Sequence, residues 1–362
     1  MAFLNPGQPV RKWLHGAAWC YGLLIRIRSW CYRRGWFASV RLPCRVISVG
    51  NLTVGGTGKT PTVILLTGWL QAMGLRVAIL SRGYKRASAV PRLLVSDGTT
   101  IFAGPSEAGD EPVLMASRCP NAIVAVGADR VALGRWILEQ FPVDCVILDD
   151  GFQHRALHRD VDLVLLDATD AAGLDALLPA GRLREPMNEL NRANAAVITR
   201  ADAPQDVAAI RQRLQTMAFP SGNTVEVVFE PDCMVGVTSQ ERRSISWGQH
   251  KKAWLVSGVG NSLSFRRSAE SIGIGVIGET VFQDHHGYSP VDVQRVRVAL
   301  QTHEGAIVLT TEKDAVKVMS LLALGDPWWA LRLRARVTKG EAHLRRLVDV
   351  PPSQGVSSEA HA

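Results

Sequence analysis

The sequence predicts an α/β protein built on a mostly parallel sheet, and three observations predict it. Short apolar runs recur along the chain and end in glycine or acidic residues. Helix-like stretches alternate with them. A glycine-rich loop joins the first run to the first such stretch. The 362 residues suit about two domains at roughly 150 residues each. A hydrophobic fraction of 47%, a charged fraction of 20%, 32 Gly and 18 Pro exclude a disordered, collagen-like or disulfide-scaffold chain. The 6 cysteines contain no C-x-x-C pair, which argues against a zinc site and fits a reducing compartment.

Charge is unevenly placed. The net charge is +8, and residues 1–50 hold eight Lys/Arg and no acid, the first acid being Asp97, so the rest of the chain sums to zero. A nucleic-acid coat spreads its positive charge over the fold. A single basic terminal segment instead suggests contact with an anionic membrane surface, and no nucleic-acid partner is expected. Trp13 to Ile25 is too short and too interrupted to cross a bilayer, and arginines rather than a small-residue cleavage site follow it. Leu14, Ala17/Ala18, Tyr21 and Leu24/Ile25 recur at helical spacing, with Trp13, Trp19, Trp30 and Trp36 interleaved with arginines. That pattern fits an amphipathic helix lying in the headgroup region; a helix packed on the protein's own core is the competing reading.

Arg45 to Gly50 reads as a buried strand, and Asn51-Leu-Thr-Val-Gly-Gly-Thr-Gly-Lys-Thr60 follows it, then Pro61 and an apolar helix. Asn51, Thr53, Val54, Gly55, Gly56, Thr57, Gly58, Lys59, Thr60 and Pro61 form the expected nucleotide loop. Its glycines let backbone N–H groups turn toward phosphate oxygens, Lys59 reaches the β/γ-phosphates and the Thr60 hydroxyl suits Mg²⁺. The strict G-x-x-x-x-G-K-[ST] pattern is not met, because Thr53 stands at its first glycine. This predicts a P-loop NTPase-like core. Further strands are expected near 76–80, 122–126, 145–148, 161–166 and 195–198, with helices near 129–140 and 204–217. Asp149 and Asp150 end one of these runs, where a strand-end acid holds Mg²⁺. Asp110 and Glu111 fall in a glycine-containing loop and read equally as a solvated turn or as a base with a metal contact. Thr199-Arg-Ala-Asp202 only weakly matches a guanine-reading motif. After about Gly222 a second, smaller α/β unit is expected, with strands near 224–229, 253–257 and 306–311.

Taken in order, six runs resemble the tetraacyldisaccharide 4′-kinase family of lipid A biosynthesis. They are Ser48 to Pro61, Ser81-Arg-Gly-Tyr84, Gly109-Asp-Glu-Pro112, Asp149-Asp-Gly-Phe-Gln-His154, Leu178 to Pro186 and Thr311-Glu-Lys-Asp-Ala315. The resemblance spans about residues 10 to 345. It implies an ATP- and Mg²⁺-dependent enzyme that moves the γ-phosphoryl group to the 4′-hydroxyl of a lipid-linked glucosamine disaccharide 1-phosphate, giving lipid IVA. It implies work at the cytoplasmic face of the bacterial inner membrane, with no obligate protein partner. Position by position, it implies Lys59 and the loop on ATP, and Thr60, Asp149, Asp150 and Glu111 around the metal. Asp110 becomes the base, paired with a histidine of Phe282-Gln-Asp-His-His286; His285 is preferred because it follows Asp284, and His286 stays open. Arg130 and Arg184 would offset phosphate charge in ATP or in the acceptor's 1-phosphate, and Tyr84 would contact the acceptor. The expected layout is a membrane-interface helix over 1–38, a P-loop core over 39–222, a smaller domain over 223–350 that closes on the core, and a disordered tail over 351–362. A P-loop GTPase or ATPase switch without a lipid acceptor, and an ATP-binding scaffold without catalysis, are the alternatives.

Overall fold

A computed structural model describes residues 12–349, so the expected tail lies outside the described residues. The described residues form two compact units that interleave along the sequence: 12–59, Asp150–Val227 and Val337–Asp349 in one, and Thr60–Asp149 and Val228–Arg336 in the other.

The first unit centres on parallel strands. Arg45–Asn51 pairs with Val161–Asp167, which pairs with Ala195–Thr199, which pairs with the opening residues of Thr224–Gly236. These strands are mostly apolar because both faces are covered, and the charged residues that interrupt two of them are buried and paired, Asp162 with Arg159 and Glu226 with Arg211. Val164, Leu166, Ala196 and Ile198 meet Val207, Ile210 and Leu214 of helix Pro204–Thr216 in one core with Leu52 and Phe152. Gly50 is required where its strand passes Phe152: a Cβ there would stand 2.5 Å from the Phe152 Cβ and 2.7 Å from its backbone nitrogen.

Helix Lys12–Arg33 buries Leu14, Ala18 and Gly22, one turn apart, and Ser29, two turns further on, against this unit. Tyr21 Oη donates to the Arg184 carbonyl (2.9 Å), and Arg28 pairs with the fully buried Glu185 (2.5 Å). Trp19, Leu23, Leu24, Ile27 and Trp30 point outward. Leu24 therefore lies opposite the face it was grouped with from spacing alone. No described helix is long and apolar enough to cross a membrane.

The second unit holds two strand sets. In one, Cys145–Asp149, Val77–Ser81 and Ile123–Gly127 run parallel in that order, and Arg92–Ser96 adds an antiparallel edge. In the other, Gly275–Val281, Lys252–Ser257, Ile307–Thr311 and Trp328–Lys339 are parallel neighbours. Helices Asp110–Arg118 and Glu312–Val318 join the two sets through Arg118, whose guanidinium lies 2.6 Å from the Glu312 carboxylate. One local expectation changes here. Asp110 and Glu111 open a helix rather than sit in a loop, because Gly109 (φ 95°) turns the chain into it and Pro112 falls in the first turn, where no N–H is needed.

Candidate active site

The nucleotide loop leaves the carboxyl end of strand Arg45–Asn51 and runs into helix Lys59–Ala72. Its backbone is bracketed by two arginines of its own unit. Arg182 donates to the Val54 carbonyl (2.8 Å) and pairs with Asp170 (3.0 Å). Arg200 donates to the Gly56 carbonyl (3.0 Å) and pairs with Asp167. The Thr199 hydroxyl donates to the Thr57 carbonyl (2.8 Å). The Thr199-Arg200 pair thus braces the loop, which accounts for its polarity without any reading of guanine. Gly55 adopts φ 120°, a conformation that side-chain-bearing residues rarely take, and passes under the Arg182 guanidinium, the mobile end of its side chain.

Lys59 Nζ lies 3.4 Å from Asn51 Oδ1 and 3.6 Å from Asp150 Oδ1. Arg184 grips Asp150 with both terminal nitrogens (2.9 and 2.8 Å) and also donates to the Asn51 carbonyl (3.1 Å) and side chain. Gln153 donates to the same carbonyl (3.0 Å). Asp150 itself sits in the left-handed region (φ 54°), a strained geometry for a non-glycine residue that aims its carboxylate at Lys59. The structure therefore gathers Asn51, Lys59, Asp150 and Arg184 beside the loop.

The second cluster belongs wholly to the other unit. Asp110, 6% exposed, accepts from His285 Nδ1 at 3.1 Å, and Lys313 and Lys317 stand 3.8 and 3.9 Å from the same oxygen. Burial would raise the Asp110 carboxyl. The His285 hydrogen bond and the Lys313 and Lys317 charges outweigh it and hold the group below the usual carboxylate range. Its place in the first turn of helix Asp110–Arg118 adds the helix dipole in the same sense. His285 adopts φ 62°, and Tyr84 meets its ring edge-on at 5.3 Å. His286 faces elsewhere, 3.1 Å from Asp292 Oδ2. Glu111 is 3.2 Å from Lys313.

The remaining named residues are placed as follows. Asp149, 2% exposed, accepts from Ser81 Oγ (2.8 Å) at the ends of adjacent parallel strands. Thr60 occupies the first turn of its helix. Arg130 is buried, and its guanidinium donates to the Ala128 carbonyl (2.7 Å). Among the described residues no three His, Cys, Asp or Glu side chains gather as a metal cage. The oxygens of Thr60, Asp149, Asp150 and Glu111 are of the hard donor type that Mg²⁺ takes.

The family model described as tetraacyldisaccharide-1-P 4′-kinase matches residues 10–350. The chain belongs to the tetraacyldisaccharide 4′-kinase family. A tetraacyldisaccharide 4′-kinase of Syntrophus aciditrophicus (strain SB) is 36% identical over 333 residues, covering 90% of this chain and 89% of the relative. One from Anaeromyxobacter sp. (strain Fw109-5) is 38% identical over 328 residues, covering 91% and 88%. The crystal structure of LpxK from Aquifex aeolicus in complex with ATP matches with a TM-score of 0.75 at 36% identity, over 92% of this chain and 96% of that one.

Within this family member, sequence reasoning missed the groups that surround the paired residues. Lys313 lies in a run singled out only as a motif, Thr311-Glu-Lys-Asp-Ala, with no role attached, and Lys317 lies two residues beyond it. Arg182 lies in another such run. The available signal was position: Thr311 to Asp314 directly follows a buried apolar strand, as Asp149 does.

Proposed function

We propose that the loop cluster and the Asp110 cluster divide the labour of one phosphoryl transfer. The chain is an ATP-dependent tetraacyldisaccharide 4′-kinase, the activity of its family, and its acceptor is a lipid A disaccharide 1-phosphate. The loop amides and Lys59 bind the phosphates of ATP, with Arg182 and Arg200 keeping the loop in shape. Arg184 holds Asp150 and Asn51, and so orients the acid and the amide that face Lys59. The Asp110 carboxylate, kept ionised by its neighbours, takes the proton of the 4′-hydroxyl as that oxygen attacks the γ-phosphorus. The bond from the γ-phosphorus to the β-phosphate oxygen breaks, and ADP leaves. Tyr84, exposed beside His285, offers a surface to the sugar. Thr60, Asp149, Asp150 and Glu111 are the residues that would hold Mg²⁺, which would supply neutralisation of phosphate charge.

The single observation that carries this reading is a buried carboxylate at a helix N-terminus, held at 3.1 Å by a histidine 175 positions away. The test is transfer of labelled phosphate from ATP to the disaccharide 1-phosphate in mixed micelles. Native protein should phosphorylate the acceptor, and Lys59→Ala and Asp110→Asn should do so more slowly by at least about tenfold and about a hundredfold. Equal activity in all three would overturn the assignment.

Helix Lys12–Arg33 serves as a peripheral anchor on the cytoplasmic face of the inner membrane, the side that has ATP. What supports this is an outward face bearing Trp19, Leu23, Leu24, Ile27 and Trp30, flanked by exposed Arg26, Arg33 and Arg34. Deleting residues 1–30 should release the protein from vesicles containing acidic phospholipid; unchanged flotation would refute the anchor.

A further inference from the structure

We propose that Lys313 is a positioning residue that dictates which nitrogen of His285 carries the proton, so that His285 orients Asp110 and takes no proton itself. The inference rests on the reading of Asp110 as the base. Lys313 lies in the first turn of helix Glu312–Val318 with its side chain largely buried. An ammonium has three N–H donors and no acceptor. Three acceptors stand within reach of Lys313 Nζ: Glu111 Oε1 at 3.2 Å, Asp284 Oδ1 at 3.3 Å and His285 Nε2 at 3.2 Å. The match is one donor to each.

A group that only donates requires a lone pair on His285 Nε2. The proton of the neutral ring then sits on Nδ1, aimed at Asp110 Oδ2 (3.1 Å). The other groups around the pair offer an Nε2 proton no better partner. Asp284 Oδ2 is 3.8 Å from Nε2, too far for a hydrogen bond, and that carboxylate already accepts from Lys313. Tyr84 presents a ring edge, and Lys317 stands by Asp110 while paired with Asp314 (2.8 Å). Both ring nitrogens are therefore committed, Nδ1 as donor and Nε2 as acceptor from a cation. When the 4′-hydroxyl loses its proton, an Asp110 oxygen receives it and keeps it, and the new alkoxide character goes into the bond to phosphorus. The proton leaves Asp110 for solvent once product departs.

The experiment is long-range proton–nitrogen NMR of the full chain labelled with ¹⁵N-histidine at neutral pH, with His285→Gln to assign the signals. Native protein should show Nδ1 protonated and Nε2 unprotonated. Lys313→Met should move Nε2 toward its protonated position and lower kcat by about tenfold to a hundredfold with little change in KM for ATP. Lys313→Arg, which also only donates, should preserve the native pattern and recover most of the turnover. A protonated Nε2 in native protein, or an unchanged nitrogen pattern in Lys313→Met, overturns the proposal. Full activity in Asp110→Asn would sink the underlying reading while leaving the tautomer assignment standing, so the two failures are distinguishable.

Discussion

Replacing Asp110 with Asn removes a charge while keeping shape. His285 Nδ1 stays within reach of an oxygen, so the 3.1 Å contact has no reason to break. The lost attraction involves Lys313 at 3.8 Å and Lys317 at 3.9 Å. At an effective dielectric of 20 each pair is worth about 4 kcal/mol before desolvation. Most of that is returned, because a buried carboxylate no longer has to shed water. Neither lysine is left alone: Lys313 keeps Glu111 and Asp284, and Lys317 keeps Asp314. The net stability change should therefore stay below about 2 kcal/mol, small against a typical 5–15 kcal/mol. Loss of the base is larger. General-base catalysis is worth about 10²–10⁴-fold, or roughly 2.7–5.4 kcal/mol of barrier. The assay is initial velocity in mixed micelles, with ATP affinity measured by calorimetry on the same sample. The expected result is a fall of at least about a hundredfold in kcat with ATP binding within about threefold of native. A folded Asp110→Asn protein that keeps turnover within about tenfold of native would refute the reasoning.

Three further outcomes follow from the same geometry. Lys59→Ala should weaken ATP binding and lower kcat, each by about tenfold or more, because the ammonium that the loop places beside Asn51 and Asp150 is gone while Arg184 stays committed to those two residues; calorimetry showing native ATP affinity would contradict it. Gly50→Ala should cost about 1–3 kcal/mol, since the new methyl meets the Phe152 backbone rather than a flexible side chain, and a melting temperature equal to native would mean the strand yields freely. The lowered Asp110 carboxyl contributes stability that is present above its unfolded value of about 4 and lost as pH falls through its lower folded value. Carboxyl NMR should thus find Asp110 ionised at pH 4, and a midpoint above that would reverse the sign.

Much of the fold was legible because its central strands are covered on both faces, so that Arg45 to Gly50, Cys145 to Leu148 and Ala195 to Ile198 read as plain apolar runs. The loop was legible because phosphate binding demands glycine and lysine at close spacing. The Asp110 helix was not, since Gly-Asp-Glu-Pro has the composition of a turn and becomes a helix start only through the positive φ of Gly109. Edge strands such as Arg92–Ser96 and Gly275–Val281 were missed for a different reason: partly exposed, they lack the apolar density of the others. The site's polar wiring was the least legible. Spacing gives no hint that Lys313 would serve Glu111 from 202 positions away, or that Arg184 would spend its guanidinium on Asp150 and Asn51. Such pairings depend on where topology brings strand ends and helix starts together.

The central claim is that this chain places ATP's terminal phosphate on one particular sugar oxygen. The most direct measurement is phosphorus–proton correlation NMR of the purified reaction product. A second phosphomonoester coupled to the proton at the 4′ carbon is the predicted result. ADP formed with no new phosphorus–carbon-bound-proton correlation, or one at another position, would contradict the account.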